Sequence, residues 1–146
     1  MQIRPYRSED LPRVIDVFRS NIPKYFGSGE ERGLLDFLAE YPDDYFVCEI
    51  GVEIIGAGGF AFNNGDEKTV SLCWGMIHSR FLGTGLGRKL TEFRIDAARD
   101  IHGGLPIVIS TSQHTQGFYE KFGFKLTKHV ADGFGPGIDV CEMRLE

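Results

Sequence analysis

Leu82-Gly83-Thr84-Gly85-Leu86-Gly87-Arg88 is the stretch that decides how this chain is read. It joins two segments of different period. Thr69 to His78 before it reads as a long strand. Leu86 to Ile101 after it reads as a helix with Leu86, Leu90, Phe93 and Ala97 on one side, stopped by Gly103-Gly104. Alternate glycines let a backbone approach a ligand with no side chain in the way. The unpaired N–H groups of a helix start, with the helix dipole, suit phosphate oxygens. Arg88, in the first turn, can add a charge-assisted contact. A tight strand-to-helix turn would use such glycines too, so the surroundings have to decide.

Downstream, Leu105 to Ser110 is a short apolar run that suits a buried strand. A helix between it and the strand ending near His78 implies a parallel pair joined by a right-handed crossover. A short helix through Phe118, Tyr119 and Phe122 follows, with Gly123 placed to cap it. Strands near Phe124 to Val130 and Ile138 to Leu145 close the chain. Upstream, Gln2 to Tyr6 reads as a strand, and Ser8-Glu9-Asp10 as a helix start for the stripe Leu11, Val14, Ile15, Phe18 and Ile22. Ser28 with Glu31 fits a capping box for a second helix, which buries Leu34, Leu35 and Leu38 and ends at Pro42. Tyr45 to Ile50 and Ile54 to Phe62 form a hairpin about Gly51-Val52-Glu53, and Asn63-Asn64-Gly65 signals the next turn. The predicted order is β-α-α-β-β-β-α-β-α-β-β, a mixed α/β (α+β) domain over residues 1–146.

Two phosphate-binding rivals fail on this order. A dinucleotide fold places its glycines after the first strand of a parallel unit, and here the turn follows an antiparallel series. A nucleotide-hydrolase loop needs Gly-Lys-Ser or Gly-Lys-Thr, which is absent.

The turn resembles the pyrophosphate motif Arg/Gln-x-x-Gly-x-Gly/Ala of the GCN5-related N-acetyltransferase (GNAT) superfamily, mapped onto Leu82, Gly85 and Gly87 with Gly83 and Thr84 between. Phe118-Tyr119-Glu120-Lys121-Phe122-Gly123-Phe124 is similar to the family's second motif. The likeness covers essentially the whole chain. It implies a mostly antiparallel sheet with a central parallel strand pair, flanked by helices. It also implies acetyl-coenzyme A (acetyl-CoA) as cosubstrate, held by Ile77, Leu82, Gly83, Thr84, Gly85, Leu86, Gly87, Arg88 and Ser112, with the pantetheine in a gap between the fourth and fifth strands. The chain departs from the family at Leu82, where Arg80 could compensate, and in lacking the asparagine before the last helix, where Ser112 or Thr115 is nearest.

The reaction the resemblance implies is acetyl transfer to a primary amine, preferably on a small molecule, by direct attack in a ternary complex. Tyr119 is the candidate general acid, since a phenol stays protonated at neutral pH; a core tyrosine would also fit there. The family's base positions fall on Ser71 and Cys73, neither a good base. Alternation puts His78 on the opposite face from them, and Glu67 and His114 are further candidates. Without a base, the chain could instead bind acyl-CoA as a regulatory protein; with an open groove it could acetylate protein lysines or N-termini. Asp132 to Gly137 either shapes the acceptor pocket or is a flexible turn, and the acidic stretch Glu30-Glu31, Asp36, Glu40, Asp43 and Asp44 reads as a solvated face in preference to an amine-attracting rim.

Composition agrees with an enzyme of this kind. The 146 residues, 42 % hydrophobic and 25 % charged, suit a core-forming chain. A formal charge of −5 argues against a nucleic-acid partner, and no apolar run approaches the ~20 residues of a membrane span. The scattered Cys48, Cys73 and Cys141, the four histidines without metal spacing and the absence of a leader pattern predict a cytoplasmic, metal-free protein. The last strands could pair across a two-fold axis to make a homodimer.

Overall fold

Apolar periodicity builds two helical layers on one sheet in a computed structural model that describes residues 1–146. The strands are β1 (Gln2–Pro5), β2 (Tyr45–Ile50), β3 (Glu53–Asn64), β4 (Lys68–Ile77), β5 (Ile107–Thr111), β6 (Lys125–Gly135) and β7 (Ile138–Leu145), and the helices are α1 (Leu11–Ser20), α2 (Glu31–Glu40), α3 (Leu86–His102) and α4 (Gln116–Glu120). The sheet order is β1-β2-β3-β4-β5-β7-β6, with β4 and β5 parallel and every other pair antiparallel. This is the expected element order, including the parallel pair β4–β5 joined through α3.

Strand alternation sorts the core into two layers. Tyr45, Val47, Ala57 and Met76 pack with Val14, Val17 and Phe18 of α1 and with Leu34 and Leu38 of α2. Phe60, Val70, Leu72, Ile107 and Ile109 pack with Ile95 and Ala98 of α3 and with Tyr119 of α4. The edge strand β6 is exposed along most of its length and carries Lys125 and Lys128, charges that discourage further strand pairing.

Local details depart from the sequence reading. α1 stops at Ser20, so Ile22 packs from beyond the helix; it precedes Pro23, and a residue before proline avoids the helical region. A 3-10 turn at Ser28–Glu30 moves the cap of α2 by one residue: Glu30, not Glu31, accepts the N–H of Gly27, at 2.7 Å. Asn63 and Asn64 belong to β3, because the Asn63 amide donates to the hydroxyls of Thr69 (2.9 Å) and Ser71 (2.7 Å) across the ladder. On α3 the buried stripe is Leu90, Thr91, Arg94, Ile95 and Ala98, whereas Leu86, Phe93 and Ala97 are only partly covered. The helix is thus turned by about one residue from the expected face, and that turn brings an arginine inside.

Candidate active site

β4 and β5 part company after three residue pairs. Their register runs from Val70↔Ile107 to Leu72↔Ile109, although β4 continues to Ile77 and β5 to Thr111. A bulge at Trp74-Gly75 sits where they separate. The β3–β4 register jumps there from Gly59↔Cys73 to Ala57↔Met76, and Trp74 takes a φ of 45°. A side chain held at positive φ costs about 1–3 kcal/mol and persists only when its surroundings insist. Here the hydroxyl of fully buried Tyr45 donates to the Trp74 carbonyl at 2.8 Å, and the indole packs against Phe18 and Phe26. A Trp-Gly pair inside a strand was the available sequence signal, since isolated glycine in a strand marks bulges. Trp74 is half-buried and lines a cleft of about 960 Å³ that runs through the gap.

Where the cleft meets the start of α3, its lining includes Leu82, Gly83, Gly85, Gly87 and Arg88. Gly83 (φ 78°) and Gly85 (φ 83°) both need the left-handed region, and a Cβ on either would meet nothing within 4 Å. The turn is therefore open to a ligand and not packed against protein. The N–H of Lys89 bonds the Gly85 carbonyl at 3.2 Å, so the amides before it belong to the first turn and lack helical partners. Thr84 turns its hydroxyl back to the Phe81 carbonyl. Arg88 pairs with Glu92 at 2.9 Å, and Leu86 is half-buried. Arg80 does not stand in for the missing polar residue at Leu82: it pairs with Glu53 across the surface and lies outside the cleft. These features fit a pyrophosphate-bearing cofactor held by backbone amides.

Along the gap lie Ile77, Ser112 and Tyr119. The Ile77 carbonyl accepts the side-chain amide of buried Asn21 at 3.0 Å, which ties the end of β4 to α1. Ser112 is buried, and its hydroxyl accepts the N–H of His114 at 3.3 Å at the entry to α4. Tyr119 is buried between Phe118 and Phe124 and is among the residues lining the cleft, as is Arg94, whose guanidinium donates to the Tyr119 hydroxyl at 3.3 Å.

The cleft also meets the α1–α2 connection, at Tyr25, Phe26 and Glu30. Of the base candidates, Ser71 accepts from Asn63, and burial pushes the Cys73 thiol up to about 11, so neither takes a proton at neutral pH. Glu67 is engaged bidentately by Arg144, whose hydrogen bonds lower its pKa. The alternation argument for His78 fails across the bulge; its Nδ1 accepts the Arg80 N–H at 3.2 Å, and it does not line the cleft. His114 does line it, exposed and edge-on to Tyr25. Glu30 was read as part of a solvated acidic face. It is half-buried at the cleft, and desolvation raises its pKa against the single backbone hydrogen bond from Gly27. No three His, Cys, Asp or Glu side chains are grouped as metal ligands.

Asp132 to Gly137 is neither a loose turn nor a separate loop. β6 runs to Gly135, with a register irregularity after Val130 and Asp132 at φ 55°. The Asp132 carboxylate accepts the Gly137 N–H at 2.8 Å, and Gln113 binds both the Gly137 carbonyl (2.9 Å) and the Asp139 N–H (2.8 Å). The hairpin tip is pinned to the β5–α4 connection, and Phe134 lines the cleft.

A glycine turn at a helix start thus opens into a gap between two parallel strands, a site shaped to take an elongated, phosphate-bearing ligand. The family model described as "Acetyltransferase (GNAT) family" matches residues 11–124, and the chain belongs to that family. Its fold is shared by solved structures across almost the whole chain. A protein from Desulfovibrio desulfuricans assigned to the GNAT-family acetyltransferases superposes with a TM-score of 0.80 at 23 % identity, covering 99 % of this chain and 98 % of that one. Naa20 from Chaetomium thermophilum, in complex with a bisubstrate analogue, gives 0.78 at 21 %, covering 99 % and 85 %. The yncA protein of Salmonella typhimurium, with its cofactor acetyl-CoA, gives 0.73 at 21 %, covering 100 % and 93 %. At these identities the likeness establishes the fold. No curated protein sequence matches the chain.

Proposed function

We propose that residues 1–146 form one N-acetyltransferase domain that moves an acetyl group from acetyl-CoA to a primary amine on a small molecule, within a ternary complex. The observation that carries this reading is the continuity of one cleft from the open glycine turn, through the β4–β5 gap and past Tyr119, to Glu30. Acetyl-CoA supplies the activated acyl group. The first-turn amides of α3, Gly83, Gly85 and Arg88 hold its phosphates, and the unpaired strand edges beyond Leu72 and Ile109 hold its pantetheine. Tyr119 gives its proton to the departing sulfur. Glu30 attracts the acceptor ammonium and takes a proton from it, directly or through water, the raised pKa suiting a base that must also let go.

A small acceptor is favoured over a polypeptide by the hairpin tip. A Cβ on Gly27 would lie 3.9 Å from both the Phe134 carbonyl and Ile138, so the α1–α2 connection and the β6–β7 hairpin close on each other beside the cleft. The acetyl-CoA cofactor of the yncA protein and the bisubstrate complex of Naa20, both on this fold, support the cofactor and the direct-attack scheme. Thermal melting tests the cofactor. A ligand at a hundred times its dissociation constant adds ~2.7 kcal/mol to the native state. Acetyl-CoA should raise the melting temperature accordingly, and NAD and ATP should do much less. Equal stabilisation by ATP would point to a generic phosphate site and refute the assignment.

A further inference from the structure

Arg94 is the largest fully buried side chain in the protein, at 1 % exposure, and it lines the cleft. None of the protein's ion pairs includes it. Its Nε has no hydrogen-bond partner, and its other contacts are long: Nη1 donates to the Gly59 carbonyl at 3.5 Å and Nη2 to the Tyr119 hydroxyl at 3.3 Å. A buried charge is ordinarily paired, because desolvation without compensation is costly. The sheet also makes room for this one. A Cβ on Gly75, in the bulge, would fall 2.4 Å from Nη2, and one on Gly58 would fall 3.2 Å from Nε. Two glycines and a strained bulge thus seat a guanidinium that has no counter-ion in the protein.

The direction of one hydrogen bond adds to this. Arginine has only donors, so the contact with Tyr119 must run from Nη2 to the phenol oxygen. The phenol proton is thereby left for another acceptor, and Tyr119 borders the cleft. Around the guanidinium the titratable groups are Tyr119 of α4, Cys73 of β4, and Tyr45 and Cys48 of β2. Burial keeps Cys73 up to about 11 and Cys48 up to about 12, and raises Tyr45 further, so none of these three supplies a negative charge near neutrality.

We propose that Arg94 and Tyr119 form an internal anion subsite whose ligand is the thiolate sulfur of coenzyme A, with Arg94 as the positioning residue that aims the Tyr119 proton and supplies the stabilising charge. This rests on the acetyl-transfer reading above. In the step concerned, the neutral amine nitrogen bonds to the thioester carbonyl carbon. The carbon–sulfur bond breaks, and its electron pair goes to sulfur. Sulfur takes the phenol proton of Tyr119, which is restored from solvent, while the proton shed by the amine leaves through Glu30 or water. The guanidinium stays charged throughout, so it opposes no proton transfer and stabilises the charge gathering on sulfur in a site of low dielectric.

The test compares wild type with Arg94→Met and Arg94→Lys from pH 6.5 to 9. Arg94→Met should melt no lower than wild type, because replacing an uncompensated buried ion with an apolar chain of similar size is neutral or stabilising. Its turnover should nevertheless fall roughly 10²–10³-fold, as when one donor to a developing anion is removed. Arg94→Lys should recover part of that loss at pH 6.5, and its rate relative to wild type should fall as pH rises, since a buried ammonium gives up its proton and a guanidinium does not. Calorimetry supplies a readout apart from activity. In wild type, affinity for coenzyme A relative to acetyl-CoA should rise with pH, and in Arg94→Met the ratio should stay flat. Turnover lost only in proportion to melting temperature, or equal pH dependence of the two affinities in wild type and Arg94→Met, would overturn the inference. So would Arg94-dependent preference for a carboxylate-bearing acyl thioester, which would make a carboxylate the ligand. Wild type that binds neither acetyl-CoA nor coenzyme A would overturn the acetyl-transfer reading itself; normal binding and turnover with an indifferent Arg94→Met would overturn this inference alone.

Discussion

Replacing Gly85 with valine separates the ligand-binding role of the glycine turn from its role in the fold. Gly85 stands at the N-terminal end of α3 with φ 83° and ψ 0°. A non-glycine residue in that region costs roughly 1–2 kcal/mol, more for a β-branched one. No packing cost is added, because a Cβ there meets nothing within 4 Å. At about 4 °C per kcal/mol for a chain of this size, melting should drop by about 8 °C or somewhat more, and the protein should still fold. The side chain then occupies the space through which phosphate oxygens reach the first-turn amides. Loss of that approach should weaken acetyl-CoA at least 100-fold, or about 2.7 kcal/mol. Gly103 provides the control. It lies at the other end of α3, at φ 67° and ψ −143°, also with nothing within 4 Å, so Gly103→Val carries backbone strain at least as large, far from the turn. Calorimetric titration of both folded variants with acetyl-CoA decides the matter. Gly85→Val should lose affinity and Gly103→Val should keep it. Equal affinities in the two variants would refute the placement of the phosphates.

Tyr119→Phe keeps the aromatic packing against Phe118 and Phe124 and removes one oxygen, so turnover should fall roughly 10²–10⁴-fold with little change in acetyl-CoA affinity. A lower melting temperature with normal turnover would instead make Tyr119 a core residue. Glu30→Gln should remove the acidic limb of the pH–rate profile, a limb that lies above the ordinary glutamate value near 4.3 because desolvation raises the pKa of Glu30. The stability sign is opposite to that of a salt-bridged acid: a carboxylate with a raised folded pKa costs stability above its unfolded pKa, so Glu30→Gln should be at least as stable at pH 7, with the difference vanishing in acid. A retained limb would place the base elsewhere.

The glycine turn, the Tyr119 helix and the parallel crossover were legible because each rests on local signals: glycine spacing, a helical period, and an apolar run of strand length. What was missed depends on tertiary placement. Glu30 sits in an acidic run that a solvated face explains more readily than an amine-attracting rim, and its half-burial depends on tertiary packing that the run itself does not encode. Asn63-Asn64-Gly65 carries turn residues, yet cross-strand hydrogen bonds from Asn63 hold the ladder to Asn64. Arg94 is four residues after Leu90 on the same stripe, a charged residue at a core position, and that was a readable anomaly. The strand gap follows from the Trp74-Gly75 bulge, whose left-handed tryptophan is held by Tyr45 and two phenylalanines remote in sequence.

The central claim is turnover. Incubating the protein with acetyl-CoA and a panel of small amines, amino-acid esters and peptides, with detection of free coenzyme A thiol, tests it directly. The account predicts thiol release that depends on the amine, runs faster with a small acceptor than with peptides, and is lost in Gly85→Val. Tight binding of acetyl-CoA with no amine-dependent thiol release from any acceptor would contradict it and leave a protein that binds the thioester without using it.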